Sequence, residues 1–421
     1  MGSGPDCGSG IILYTTHGTY VMIDFELTET HRQVEQLVLD FGNKYVRPHI
    51  QENDRQQKLD PDLIPRLAKA DILGICIPER YGGAGLDYIA LGLACEGLEW
   101  FDTSVRVVMS VHVGLMCMTL LAYGTEAQKE KYLPALAGGK RTGTFGLTEP
   151  DAGSDVVGIG STADRDGDHY VLNGEKMWIS LADVADTFMV FAWTDREKKT
   201  RRDHTGLSAF IVERGPEGLT TGSIHGKLGV RAGNTGFISM QDVCVHKDQM
   251  LGGEGEGFKI AMFALEQGRY TVAGGCTGLI KACLDASVSY ATTRKTFGTP
   301  IAQHQLVKQM IAHMERDYQC SRLLYLRAGW LKNLGLRNSR ETALAKWVAC
   351  DGAERASADA VQVHGAYGFS DEYPVERFFR NAKGSSIYEG SREILTLMQA
   401  DYVLGIRQDR PRPVELPVVN Q

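Results

Sequence analysis

No two of the nine cysteines, at positions 7, 76, 95, 117, 244, 276, 283, 320 and 350, stand as CxxC, and none is grouped with histidines at metal-ligand spacing. That argues against a zinc or dithiol site, so no metal is expected, and buried reduced thiols of the kind a cytosol maintains are the expectation. Basic charge is short as well: 45 Lys and Arg against 52 Asp and Glu leave a formal net charge of −7, with no concentrated basic face. A nucleic-acid partner needs such a face, so none is expected, and any anionic substrate must be held by local positive charge. No apolar run approaches the ~18–20 residues needed to cross a bilayer, so no membrane insertion is expected. The opening "MGSGPDCGSGIILYTTHGTYVM" lacks the basic segment of a secretory signal, which leaves a cytoplasmic protein as the expectation. Nothing reads as a flexible interdomain linker, and 48 glycines are spread along the chain at 43% hydrophobic and 23% charged residues. A folded protein with a large buried core follows.

The apolar pattern changes period twice. From "ELTETHRQVEQLVLDFGNKYV" onward, Val34, Leu37, Val38, Phe41 and Val46 recur at three-to-four spacing, and helical patterns continue to about residue 140. At Thr142 short β-rich runs begin: "GTFGLTEP", "STADRDGDHYVLNGEKMWIS", "DTFMVFAWTD" and "GLSAFIVERG", with Asp166-Gly167 and Asn173-Gly174 as turn signals. After "GGEGEGFKIAMFALEQGRY" the helical period returns and persists to about residue 405. The divisions expected are an N-terminal extension 1–22, a helical domain 23–141, a β-domain 142–255, a second helical domain 256–405 and an extended proline-rich tail 406–421. A β-domain between helical blocks leaves clefts at its borders, where ligands usually sit.

Five stretches carry chemistry. In "TFGLTEPDAGSD", Thr148 offers a hydroxyl, and the small residues before and at Ser154 let main-chain N–H groups approach a polar ligand. The stretch lacks the G-x-G-x-x-G and P-loop signatures. In "KMWIS", Trp178 and Ser180 are two apart, so on a strand both project to one side, where they can pack a planar ring and bond its edge. In "TTRKTFGTPIAQHQ", Arg294, His304 and Gln305 can reach phosphates or polar ring edges. "VQVHGAYGF" sets Gln362 at a helix end with two glycines. "SSIYEGSREI" places a single carboxylate, Glu389, just before an apolar helix. Each has an ordinary structural explanation when taken singly: a Gly/Ser turn, a core tryptophan, solvated helix ends, a helix stop, and a glutamate complementing a helix dipole.

Together, in this order and at this spacing, "TEPDAGSD", "KMWIS", "RKTFG" and "YEG" resemble the acyl-CoA dehydrogenase family over nearly the whole chain, from about Met22 to Leu404. The resemblance implies a mainly α protein with a middle β-domain: a helical bundle, a β-barrel or sandwich, and a four-helix bundle. It implies FAD as cofactor, an acyl-CoA substrate, electron-transfer flavoprotein as electron partner, and a homotetramer. Glu389 falls on the family's usual base, which removes the α-proton while the β-hydride goes to the flavin. Some members carry the base beside an arginine on the helix that here holds "LEQGRY", but the residue before Arg269 is Gly268, which cannot serve. The cofactor residues implied are Phe145, Leu147, Thr148, Ser154, Trp178, Ile179, Ser180, Gln362, Val363, Gly365, Ser391 and Glu393, with Arg294, His304 and Gln305 reaching FAD across a subunit boundary. Ser154, Glu266, Arg269, Tyr388 and Gly390 are implied on the substrate side. "WISLADVAD" departs from the family in having Leu181-Ala182 where many members have Asn and a small residue.

Substrate choice is set at the far end of the acyl pocket. In "LEWFDTSVRVVMSVHVG", Arg106 and Ser110 occupy what look like pocket-floor positions, with Glu99 seven residues before the arginine. A straight-chain pocket wants apolar residues there, because an unpaired buried guanidinium is expensive. These residues are similar to those of glutaryl-CoA dehydrogenases, in which the arginine binds the distal carboxylate, although Val107 departs from the serine usual in that branch. The resemblance therefore implies oxidation of glutaryl-CoA with decarboxylation to crotonyl-CoA. The alternatives are a short-chain, branched or cyclic acyl-CoA dehydrogenase, an O₂-using oxidase or flavin monooxygenase, and a non-catalytic acyl-CoA-binding protein. An Arg106–Glu99 salt bridge serving structure alone is the plain alternative for the pocket.

Overall fold

The computed structural model describes residues 12–16, 19–22 and 26–408. Ile12–Thr16 and Thr19–Met22 pair as a short antiparallel hairpin. The rest of the expected extension, and the expected tail from residue 409 on, lie outside the described residues, as does Cys7.

The N-terminal block is helical. Thr28 caps α1 (Glu29–Phe41), its hydroxyl accepting from the His31 N–H while the His31 ring accepts from the Thr28 N–H. Val34, Val38, Phe41 and Val46 face inward, but Leu37 does not: it is 40% exposed, one position off the buried stripe. Asp87 caps α2 (Tyr88–Phe101). Asp102 then breaks the helical path and caps α3 (Thr103–Tyr123), which is π-helical through its middle, Met109–Cys117. This helix corrects one expectation. At mean hydropathy 1.8 it is long and apolar enough to cross a membrane, yet 94% of that stretch is buried inside the protein, so it is a core helix.

The middle block is an eight-stranded sheet built from β1 (Gly143–Gly146), β2 (Thr162–Asp166), β3 (His169–Ser180), β4 (Thr187–Trp193), β5 (Leu207–Glu213), β6 (Leu219–Ser223), β7 (Thr235–His246) and β8 (Met250–Leu251). The order is β8-β5-β4-β2-β3-β7-β6, with β1 added parallel to β4. Asp166 and His169 pair across the Gly167-Asp168 turn. Asn173-Gly174 is not a turn: it lies inside β3 at a bulge against β7, where the Asn173 amide and Asp242 exchange two hydrogen bonds at 2.9 and 2.8 Å.

The C-terminal block is organised by α4 (Gly257–Thr293), which packs against α2, α5 (Gln305–Asn333) and α6 (Ser339–His364). Helices α7 (Val375–Ser385) and α8 (Arg392–Val403) lie against α6. The approach of α2 to α4 is close: a Cβ on Gly278 would stand 1.9 Å from the Glu96 carbonyl oxygen.

One buried ion pair ties the N-terminal block to α7. The Asp102 carboxylate accepts from Arg377 Nε at 2.8 Å and Asn381 Nδ2 at 3.0 Å, as well as from the Ser104 N–H. Removing it strands a buried guanidinium. Asp102→Ala is therefore expected to lower stability by about 3–5 kcal/mol in denaturant unfolding; a loss below ~1 kcal/mol, the range of exposed pairs, would show that this tie is dispensable.

Candidate active site

The Glu389 turn joins α7 to α8. Glu389 has φ +55° and Gly390 φ +96°, so a glutamate holds a left-handed conformation that residues with a Cβ seldom adopt. The turn is fixed from several sides. The Tyr388 N–H donates to Gly384 O at 3.1 Å, the Arg392 N–H to Ser386 O at 3.0 Å, and Ser391 caps α8. Beneath it, Lys346 Nζ on α6 donates to the carbonyls of both Tyr388 and Gly390 at 2.6 Å, bracketing Glu389. Lys346 is wholly buried.

The Glu389 side chain folds over α4 at Gly268. A Cβ on Gly268 would lie 1.9 Å from Glu389 Oε2, so the glycine vacates the space that the carboxylate fills. Oε2 is buried without a hydrogen-bond partner among the described residues, and so is Arg269 Nε one position along. Burial pushes the Glu389 carboxyl above its ordinary range, while Arg106, Lys346 and Arg269 pull it down and Glu99 adds to the rise. Glu266, on the same helix as Arg269, accepts from the Ser339 hydroxyl at 3.0 Å.

Arg106 stands next to this turn. Its side chain is 0% exposed, with Nε on Glu99 Oε2 at 2.5 Å, Nη1 on Ser110 Oγ at 2.8 Å and Nη2 on Tyr388 Oη at 2.7 Å. The network extends to Thr103, which donates to Glu99, and to Thr271, whose hydroxyl is 2.7 Å from Ser110. A side chain at Gly275 would collide with both Glu99 and Arg106, so α4 opens a slot for the pair. Helix geometry explains one spacing, since Arg106 and Ser110 are four apart on α3, while the Asp102 break between α2 and α3 is what brings Thr103 to Glu99.

On the β side, Met177 N–H donates to Thr148 O at 2.9 Å, which brings the two motif strands together. Trp178 is the extra residue of a bulge in β3, with φ +62° and 59% exposure. It is thus an exposed tryptophan and not a core one, as a surface ring awaiting a partner would be. Ser180 is half-buried and Ser154 exposed, while the Ile179 side chain is in the β core, leaving only its main chain available. Phe145 and Leu147 are buried. Leu181 has φ +66°, a conformation in which asparagine is far better tolerated than leucine; bonds from its N–H to Asn234 O and from the Ala185 N–H to its carbonyl hold it there. Loop 224–234 then runs from this strand end to α7, where the Val230 N–H donates to Asn381.

The remaining predicted residues gather elsewhere. Arg294 and Gln305 are exposed, His304 bonds Thr296 at 2.9 Å, and Tyr290 stacks on His364 at 4.3 Å, which sets Gln362, Val363 and Gly365 beside them. Val363 is buried by its side chain. From Gly268 to Thr293 the helix advances about 38 Å at 1.5 Å per residue, so this set is remote from Glu389 in the same chain. Glu393 is exposed in the first turn of α8.

Three family models match the chain: the acyl-CoA dehydrogenase N-terminal domain at residues 28–140, the middle domain at 144–243 and the C-terminal domain at 255–404. The short-chain specific acyl-CoA dehydrogenase of Clostridium acetobutylicum is 38% identical over 376 residues, 89% of this chain and 98% of that one. The glutaryl-CoA dehydrogenase of Desulfococcus multivorans is 37% identical over 391 residues, 92% and 99% of the two chains. The solved structure of butyryl-CoA dehydrogenase from Megasphaera elsdenii superposes with a TM-score of 0.88 at 39% identity, covering 91% of this chain and 100% of that one. This chain belongs to the acyl-CoA dehydrogenase family.

FAD is the cofactor of this family, and the residues present fit it: an uncovered indole on a bulge, a hydroxyl two residues on, and a loop of small residues beside them. The acyl-CoA dehydrogenase motifs did not point to what anchors these parts. Lys176 and Glu149 form a buried pair at 2.7 Å, and Glu149 also accepts the Gly160 and Ser161 N–H groups, which holds the "TEP" turn in place. Lys346 was not singled out either. Its signal was present in "ALAKWVACDGA", where a lysine sits in a stripe of small residues, Thr342, Ala345, Ala349 and Ala353, all buried.

A pH prediction follows from the burial of Glu389. Its folded carboxyl is raised, so the stability it lends is full below the unfolded value of about 4.5 and is lost as pH rises through the folded one. Gln mimics the protonated form. The melting temperature of Glu389→Gln should therefore exceed wild type increasingly from pH 5 upward and level off beyond the folded value; a gap independent of pH would mean that the carboxylate is not desolvated.

Proposed function

We propose that the protein is an FAD-dependent acyl-CoA dehydrogenase that takes a short acyl-CoA carrying a distal carboxylate, of which glutaryl-CoA is the type. The observation that carries the reading is a buried Glu389 Oε2, without a hydrogen-bond partner among the described residues, whose neighbour Tyr388 is bonded by the wholly buried Arg106. The carboxylate removes the substrate's α-proton onto Oε2, and its basicity rises further when bound substrate excludes water. Among the described residues the loop's main-chain bonds run from Ile387 and Tyr388 to Gly384 and from Arg392 to Ser386 without the Glu389 N–H, which leaves that group to hydrogen-bond the thioester carbonyl and acidify the α-carbon. FAD, when bound, supplies the acceptor for the β-hydride. Gly390 leaves room beside Arg269, since a Cβ there would stand 3.1 Å from Arg269 Nε, and that Nε, without a partner among the described residues, suits the coenzyme A arm. Electron-transfer flavoprotein is the acceptor the family resemblance implies.

A guanidinium has five N–H donors, and three are used by Glu99, Ser110 and Tyr388. The others suit a planar carboxylate. Oxidation of glutaryl-CoA gives glutaconyl-CoA, which loses CO₂ to yield crotonyl-CoA. A second reading has its own support: Glu99 already neutralises Arg106, so the pair can form a closed polar floor beneath a short monocarboxylic acyl group. The remote cofactor set, with Phe297 97% exposed on its hairpin, supports a homo-oligomer, a tetramer by the family resemblance, in which Arg294, His304 and Gln305 serve a neighbour's FAD.

Steady-state kcat/KM for glutaryl-CoA and butyryl-CoA, with an artificial electron acceptor, tests the pocket. Arg106→Leu should cost about 2–5 kcal/mol on glutaryl-CoA, because the carboxylate is left buried and unpaired. Butyryl-CoA should lose much less. Equal losses on both, with wild type preferring butyryl-CoA, would make Arg106 a structural residue and return the assignment to a short-chain dehydrogenase.

A further inference from the structure

We propose that Lys346 is a positioning residue for the reaction: its ammonium pins the two carbonyls that flank Glu389 and sets a buried positive charge beneath the carboxylate. The inference rests on Glu389 being the base. The geometry is specific. A single Nζ meets Tyr388 O and Gly390 O at 2.6 Å each, one on either side of a residue at φ +55°. Two carbonyls drawn to one donor turn the intervening peptides in a fixed sense, which opposes relaxation of Glu389 out of the left-handed region. One turn along α6, the Cys350 thiol donates to Ser385 O at 3.3 Å, so the same face of the helix seats the end of α7.

The charge matters as much as the clamp. No carboxylate pairs directly with Lys346 among the described residues; burial works against its protonation, and Cys350, Glu389 and Cys276 favour it, with Arg269 opposing. The groups that face Glu389 come from four helices: Glu99 and Cys95 from α2, Arg106 from α3, Arg269 from α4 and Lys346 from α6. Arg106 is tied to Glu99, and Arg269 faces Glu266, so each of those cations is partly offset. Lys346 has two carbonyls as its hydrogen-bond partners, and the carboxylate that favours its charge is Glu389 itself. It keeps a desolvated base ionised at working pH while the clamp keeps it aimed.

Lys346→Met preserves length and apolar volume but removes donors and charge. The acid limb of kcat/KM against pH, measured with the best acyl-CoA, should move up by about one unit, the shift expected for losing a nearby opposite charge. The pH-independent maximum should fall about tenfold or more, with KM changing less. Lys346→Gln, which keeps an amide donor without charge, carries the same pH shift and serves if the Met variant fails to retain flavin. Cys350→Ala, which loosens packing one turn away, should lower the melting temperature and leave the acid limb in place. A Lys346→Met or Lys346→Gln enzyme with a lowered melting temperature but wild-type pH profile and kcat would overturn the proposal, as would a limb that moves equally in Cys350→Ala. Glu389→Gln separates the two readings: if it is inactive and the Lys346 profile is unshifted, only the lysine's role falls, whereas wild-type turnover in Glu389→Gln removes the base and this inference together.

Discussion

A carboxylate oxygen enclosed by protein and given nothing to bond is an unfavourable arrangement, and a chain keeps one only where surrounding structure over-determines it. Glu389 Oε2 is such an atom. Its position depends on three separate features: a left-handed turn, a glycine at 268 that leaves room for the carboxylate, and a lysine that holds the carbonyls on both sides. The rest of the helical core can be read as the scaffold for that turn. Helix α4 provides the glycine, α6 the lysine, and α7, moored through Arg377 and Asn381 to Asp102, delivers the chain at the required angle.

The same packing produces the second polar element. Because α2 and α3 meet at the Asp102 break and α4 offers a glycine opposite, Glu99 and Arg106 pair inside the protein and reach Tyr388, the neighbour of Glu389. A buried ion pair of this kind adds little to stability compared with apolar packing of similar volume. What it does is couple that polar cluster to the Glu389 turn through one hydroxyl, that of Tyr388.

Periodicity gave the order of helices, sheet and helices, because a 3.6-residue and a 2-residue repeat leave direct marks in the apolar pattern, whereas the motif residues came from the family resemblance. Local chemistry was less legible. Asn173-Gly174 has the composition of a hairpin turn but pairs as a bulge, since the partner strand β7 supplies Asp242 to satisfy the amide. Thr103–Tyr123 carries two basic side chains, Arg106 and His112, and both are absorbed in the interior: Arg106 by Glu99, and His112 by the Gly143 N–H and the Leu136 carbonyl. Lys346 and Lys176 read in sequence as surface residues, the usual place of a lysine, and only the third dimension shows which carbonyls and carboxylates receive them. Trp178 was weighed as core, and the bulge that turns it outward has no one-dimensional signature beyond the motif itself.

The central claim is that Glu389 Oε2 takes the substrate's α-proton. Deuterium exchange at the α-carbon reads this step without relying on turnover. An acyl-CoA that binds but has no β-hydrogen to lose is incubated with flavin-loaded enzyme in D₂O, and label at the α-carbon is followed by mass spectrometry. Wild type should introduce deuterium, and Glu389→Gln with equal flavin content and equal ligand affinity should introduce about 10²-fold less or none. Exchange at the wild-type rate in the Gln enzyme would contradict the account and move the base to another group.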